Sequence, residues 1–315
     1  MIIDVFPALD ELELAKFRID YLKDLVDVVV IGESKLTHSG IEKPLYLRDW
    51  HESLDPKRQS QIHLIEIELN KDAGSWEREI YSREYLVNYC KNTFSNAKII
   101  LSDLDEIPSQ GQVKYIQNNA GIFHFLTPTC YRYLNWQLSD SHKHWAKGIM
   151  GDLELLNYPN GGRFVKELTI LKSEPGAHLS YLGFSSEKLR NKLLSFAHTE
   201  LQSAAIEASA ILELSDKYKI DHLGRFESTG SGLITINKNF QSDVLLAASK
   251  TFPNLIDLNP KVPSYLFRIL ASAKLSAYFN FGIAKNKSLN NIGMLLIIKQ
   301  ILIGNLRKVK RLINR

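Results

Sequence analysis

A succession of short apolar runs, separated by segments of helical spacing, constrains the fold of this chain more than any other feature. Residues 26–31, 62–69 and 98–102 are each too short for a buried helix and read as strands. Ile99, Ile100 and Leu101 suit a strand buried on both faces, whereas residues 62–69 alternate apolar and polar side chains. Residues 10–24 read as a helix capped by Asp10, with Leu14, Phe17 and Tyr21 on one face. Residues 34–60 are polar and read as loop, and residues 75–92 form a second helix with Trp76, Ile80, Tyr81 and Tyr85 near one face. A strand at 121–126 follows, which residues 131–138 extend as a hairpin. This β-α-β-α-β order predicts a three-layer α/β sheet. Residues 148–162 hold the turn cluster Asn-Tyr-Pro-Asn-Gly-Gly, residues 177–182 a short strand, and residues 185–215 are mainly helical with Ser186 as cap.

The chain has 315 residues and two cysteines, Cys90 and Cys130, which form neither a disulfide framework nor a metal-ligand pair. A reducing compartment is the expectation. Acids close behind the short apolar start argue against a signal peptide or an anchor. The net charge of +4 hides an asymmetry. Asp257 is the last acidic residue, and eleven Lys and Arg follow it. The first 257 residues carry 28 basic against 35 acidic side chains, a net of −7. A boundary is therefore expected between a body at 1–257 and a basic helical region at 258–315.

The strand at 98–102 runs into Asp103-Leu-Asp105-Glu-Ile-Pro108. In an open α/β sheet, ligands gather beyond the carboxyl ends of the strands. Two carboxylates one residue apart there can hold Mg²⁺ or Mn²⁺, which keep positions open for phosphate oxygens. A metal bridging a diphosphate stabilises the charge of a departing nucleotide. A turn rich in solvated acids would look the same. A haloacid-type phosphatase also starts with Asp-x-Asp, but continues with a small residue and Thr instead of Glu106-Ile107-Pro108.

A second cluster comprises residues 176–183 and 192–200. His178 or His198 could complete the metal site through a neutral imidazole. Glu200 could act as general base, with Glu106 as second choice. Arg78, Arg83 and Lys192 could neutralise phosphate. Core or capping histidines, a solvated glutamate and surface salt bridges are the alternative for each. Tyr131, Tyr133 and Trp136 could stack on a sugar or belong to the core.

Taken in order, these pieces resemble glycosyltransferase family 17. The resemblance runs through Asp4-Val-Phe-Pro7, Val30-Ile-Gly-Glu-Ser34, Lys43-Pro-Leu45, Trp76-Glu-Arg-Glu79 with Arg83, and Ser102 to Pro108. It continues through His178-Leu-Ser-Tyr-Leu-Gly183 and residues 192–200, and covers roughly residues 3–200. A tryptophan common in the family before its His-x-Ser-Tyr motif is replaced here by Ala177. The resemblance implies a GT-A-like Rossmann-type sheet and inverting transfer. It also implies Mn²⁺ or Mg²⁺ and a UDP-sugar donor, UDP-GlcNAc first. Asp103 and Asp105 would then be the metal and diphosphate residues, and Glu33 would lie near the nucleotide. The acceptor would be a glycan or a lipid-linked saccharide. A catalytically silent relative that binds nucleotide or glycan as a membrane-attached assembly partner is the alternative.

Residues 292–315 place Leu295, Ile298, Leu302, Leu306, Val309 and Ile313 on one stripe, with Arg307, Lys308, Lys310, Arg311 and Arg315 off it. Such a helix suits an anionic membrane surface, so the expected place of the protein is cytoplasmic, peripheral on the inner face of a membrane. No nucleic-acid motif accompanies the charge, so nucleic acid is not an expected partner.

Overall fold

The structure is a computed structural model; it describes residues 1–138, 145–223, 232–237, 239–240 and 242–281. The expected membrane helix at 292–315 lies outside the described residues.

Twelve strands are described: β1 (Ile2–Pro7), β2 (Val28–Glu33), β3 (Ile62–Glu66), β4 (Lys98–Leu101), β5 (Glu106–Ile107), β6 (Ile122–Phe125), β7 (Thr129–Tyr131), β8 (Trp136–Leu138), β9 (Gly148–Asp152), β10 (Thr169–Leu171), β11 (Ala177–Ser180) and β12 (Ile234–Ile236). The described helices are α1 (Leu12–Leu22), α2 (Arg48–Glu52), α3 (Pro56–Gln61), α4 (Ser75–Thr93), α5 (Gln110–Asn118), α6 (Ser186–Ser195), α7 (Ala208–Tyr218), α8 (Asp243–Thr251) and α9 (Tyr265–Phe281). Seven strands form a mixed sheet in the order β10-β6-β9-β4-β1-β2-β3. Within it β4, β1, β2 and β3 are parallel neighbours, and β9 runs antiparallel between β4 and β6. A second mixed sheet has the order β12-β8-β7-β11-β5.

The layers follow from strand alternation, which sends successive side chains to opposite faces. Ile3, Val5, Ile99, Leu101 and Ile149 pack under Leu86, Val87 and Cys90 of α4. Ile2, Ile100 and Met150 face the other way, toward Leu22 of α1 and Val113 and Ile116 of α5. The expected three layers are therefore present, with β4 at the centre of the large sheet and β1 beside it. The second sheet packs Tyr131, Trp136 and Leu138 against Leu189 and Leu193 of α6, Ile211 and Leu212 of α7, and Ile269 and Leu275 of α9. Tyr131 and Trp136 are thus core residues with their rings buried, and Tyr133 packs beside them instead of serving a sugar.

Several local expectations change. Helix α1 starts at Leu12 with Glu11 in the capping position, so Asp10 does not cap it. Residues 34–60 contain α2 and α3. The cap of α6 is Ser185, whose side chain accepts from the Lys188 N–H. The hairpin of β7 and β8 leaves the large sheet for the second one, so it does not prolong β6. Residues 148–152, for which no strand was expected, form the antiparallel strand that joins the two halves of the large sheet. Gly151 makes this possible: its φ is +140°, and a Cβ there would lie 1.9 Å from the Gly121 carbonyl oxygen.

Asp4 lies in the middle of β1 and is fully buried. Arg18 of α1 meets it with Nε to Oδ2 at 2.9 Å and Nη2 to Oδ1 at 2.6 Å. The same guanidinium donates to the carbonyls of Asp103, Leu104 and Glu106 at 2.8–3.2 Å, and to Ser102 Oγ at 3.0 Å. One buried cation thereby neutralises the acid inside β1 and fastens the loop after β4. Cys90 and Cys130 are free, lie in different core clusters, and burial pushes both thiols up to about 12.

Candidate active site

The parallel strands β1, β2 and β4 end at one edge of the large sheet, and the chain after β4 passes directly into β5 of the second sheet. The acid loop therefore sits at the junction of the two sheets. A cleft of about 500 Å³ opens there, lined by Pro7 at the end of β1, Glu33 at the end of β2, and Asp103 and Asp105 after β4. The helical regions contribute Arg83, Lys192 and His198. That volume falls in the range of small-molecule sites.

Asp103 is clasped from two sides. Arg83 Nη2 donates to Oδ1 at 2.5 Å, and Arg163 Nη2 donates to Oδ2 at 2.7 Å. Withdrawal from water opposes ionisation, but Arg163 and Arg83 outweigh it and hold this carboxyl far below the usual range. Arg163 also grips Glu106, Nη1 to Oε2 at 3.0 Å and Nη2 to Oε1 at 2.9 Å. Glu106 Oε1 accepts from Trp145 Nε1 at 2.6 Å, and the carboxylate is fully buried. Glu106 therefore faces the protein and holds Arg163 in place; it is not positioned to take a proton from a substrate in the cleft.

Asp105 is held more loosely. His178 Nε2 lies 3.4 Å and Lys192 Nζ 3.9 Å from its Oδ2. Burial raises its pKa, but His178 and then Lys192 prevail, and the net shift is downward. Burial likewise opposes the charge on Lys192, yet Asp105 and Glu11 raise its pKa. Both aspartates titrate below the unfolded value of about 3.9. Their contribution to stability is therefore present above about pH 4 and disappears as the pH falls through the depressed folded values. Thermal melts in acid should show Asp103→Asn losing much of the wild-type decline below about pH 4. An unchanged decline would place the acid sensitivity elsewhere.

The other expected site residues separate into two groups. Arg83, Lys192, His178, His198 and Glu33 line the cleft. Glu33 is also bound, its Oε1 accepting from the Tyr46 N–H at 2.5 Å and Lys43 Nζ at 3.0 Å, and its Oε2 from the Leu47 N–H. It thus shapes the loop beside the cleft. Arg78 does not line the cleft; it donates to the carbonyls of His38, Asn70, Lys71 and Ala73 and braces those loops. Glu200 stands outside, mostly exposed, with Oε1 2.6 Å from His198 Nδ1. The His198 ring packs edge-on against Trp76, centroids 4.7 Å apart.

The four-residue metal set Asp103, Asp105, His178 and His198 is not assembled. Arginines occupy both Asp103 oxygens, His198 pairs with Glu200, and no group of three or more His, Cys, Asp or Glu among the described residues could hold a metal. Asp105 with the adjacent imidazole of His178 is the donor set that remains. Its carboxylate would suit Mg²⁺ or Mn²⁺, which take other ligands from phosphate and water, whereas the imidazole would suit only the transition metal. Arg163 and Trp145 were missed by sequence reasoning. The Asn-Tyr-Pro-Asn-Gly-Gly cluster just before Arg163 was the available signal: Asn160, Gly161 and Gly162 have positive φ and turn the chain so that Arg163 enters the cleft.

The fold and site define a mixed α/β protein whose cleft, at the carboxyl edge of a parallel strand set, presents paired acids among cations. The profile of glycosyltransferase family 17 matches residues 1–214, and the chain belongs to that family. It is thus placed among proteins of glycosyl transfer, with a nucleotide-sugar donor and an acceptor as substrates. No curated protein matches the chain. The crystal structure of HddC from Yersinia pseudotuberculosis is similar at 13% identity, covering 54% of this chain and 88% of HddC, with a TM-score of 0.33. A second HddC structure, complexed with GMP-PN, is similar at 12% identity with the same coverage and a TM-score of 0.32.

Proposed function

We propose that this protein is a metal-dependent, inverting glycosyltransferase with a GT-A-like fold that moves a sugar, GlcNAc first, from a UDP-sugar to a glycan or lipid-linked saccharide. The observation that carries the reading is Asp105, loosely held at the carboxyl end of β4 and facing a cleft that also holds Lys192 and Arg163. Asp105 would hold Mn²⁺ or Mg²⁺, which when bound neutralises charge on the departing diphosphate. Lys192 lies 3.6 Å from Glu11 and 3.9 Å from Asp105, distances long enough to let its ammonium turn to a phosphate oxygen. Glu200 works through His198: with its Nδ1 on Glu200, the imidazole keeps Nε2 as proton acceptor. The acceptor oxygen bonds to the anomeric carbon as the bond from that carbon to the diphosphate oxygen breaks. The electron pair leaves with UDP, and the hydroxyl proton passes to His198 Nε2.

A donor screen by thermal shift, with and without Mn²⁺, tests the reading. A bound donor stabilises the native state by mass action, about 2.7 kcal/mol at a hundred times its dissociation constant. UDP-GlcNAc with Mn²⁺ is expected to give the largest shift, and His198→Gln and Glu200→Gln to keep that shift while losing transfer. No shift with any UDP-sugar would sink the proposal. The double arginine clasp on Asp103 favours one other reading, the silent relative, because it withdraws an acid from chemistry. Donor binding without UDP release, even with saccharide acceptors, would decide for it.

A further inference from the structure

Helix α9 is apolar on two faces. Ile269, Ala271 and Leu275 enter the core of the second sheet, and Arg268 points the same way, donating to the carbonyls of Tyr218, Lys219 and Ile234. On the outward side, Tyr265 is 62% exposed, Leu266 61% and Phe267 59%, with Leu270 also exposed. The segment leading into the helix adds Leu258, 81% exposed, and Val262. Six large apolar side chains within thirteen residues thus face solvent together. A helix that is apolar all round is normally covered, and monomers rarely leave such patches open.

Charge narrows the cover. Every ionised side chain from residue 258 onward is Lys or Arg, eleven in all, while the preceding body is net negative. Lys261 is exposed between Leu258 and Val262, Arg268 is turned inward, and eight of the eleven lie beyond the described residues. A second copy would set this patch against itself, as a two-fold contact requires, and bring two acid-free stretches together. An anionic surface with an apolar interior satisfies both properties at once. Tyr265 is suited to the boundary between headgroups and acyl chains. We propose that the outward face of α9, with Leu258 and Val262 before it, is a docking surface for an anionic lipid bilayer. No helix among the described residues is long and apolar enough to cross a membrane. This inference does not depend on the reaction proposed above.

The test is flotation of the full chain with phosphatidylglycerol vesicles and with phosphatidylcholine vesicles, for the wild type and for Leu266→Ser/Phe267→Ser/Leu270→Ser. The wild type is expected to float with phosphatidylglycerol, less with phosphatidylcholine, and less in high salt. The triple variant should lose at least about tenfold in affinity for phosphatidylglycerol vesicles while keeping its melting temperature, because the altered side chains point outward. In addition, Phe267→Trp should show a blue-shifted emission component on vesicle addition. Three results would overturn the proposal: a wild type that stays with the soluble fraction, a folded triple variant that floats as well as the wild type, or a wild-type dimer that the triple variant dissolves.

Discussion

Replacing Asp105 by alanine is expected to lower transfer at least about a hundredfold, the scale on which a preorganised electrostatic group acts in a closed site. The melting temperature should fall less than in Asp103→Ala, because the stabilising contacts of Asp105 are the longer ones. Asp105 faces the cleft, its contacts to His178 and Lys192 are long, and Lys192 keeps Glu11 as a neighbour. Asp103→Ala should also abolish transfer, but with a different signature. It removes the carboxylate shared by Arg83 and Arg163, which then keep Glu79 and Glu106 as carboxylate partners, and the melting temperature should fall. Initial rates of UDP release, measured beside thermal melts, separate the two. Near-wild-type turnover in Asp105→Ala would remove the basis of the proposed chemistry.

Arg18→Met should be the most destabilising single change outside the cleft. It strands the Asp4 carboxylate inside β1, and removing one partner of a buried pair costs about 3–5 kcal/mol. For a chain of this size that corresponds to a fall in melting temperature on the order of 10 °C. Asp4→Leu/Arg18→Met should recover most of the loss, since replacing both partners by apolar groups is often neutral. Transfer should not recover with it. The carbonyls of Asp103, Leu104 and Glu106 would still lack their shared donor, and the loop carrying Asp105 would lose its register. A single variant within about 0.5 kcal/mol of the wild type would show that Arg18 carries no such load.

Strands β2 and β4, helix α4 and the acid loop were legible because each is a local pattern: an apolar run of strand length, a helical stripe, and a turn before proline. β1 was not recognised, because Asp4 interrupts its apolar run and the neutralising Arg18 lies fourteen residues away. β9 was not recognised, because Gly148 and Gly151 interrupt its apolar run and the Gly121 carbonyl that requires a glycine at 151 is distant in the chain. The acids of the site were found, but not how they are held.

From the residues alone came the alternation of strands and helices, the family, and the placement of Asp103 and Asp105 beyond a strand end. Tertiary structure alone assigned those two acids different environments. Arg163, sixty residues from Asp103, reaches it through a left-handed turn, and Lys192 and His178 arrive from the second sheet and its helix. Local pattern specifies an element through its neighbours in the chain, whereas the charge state and freedom of a carboxylate depend on which cations folding brings within a few ångströms.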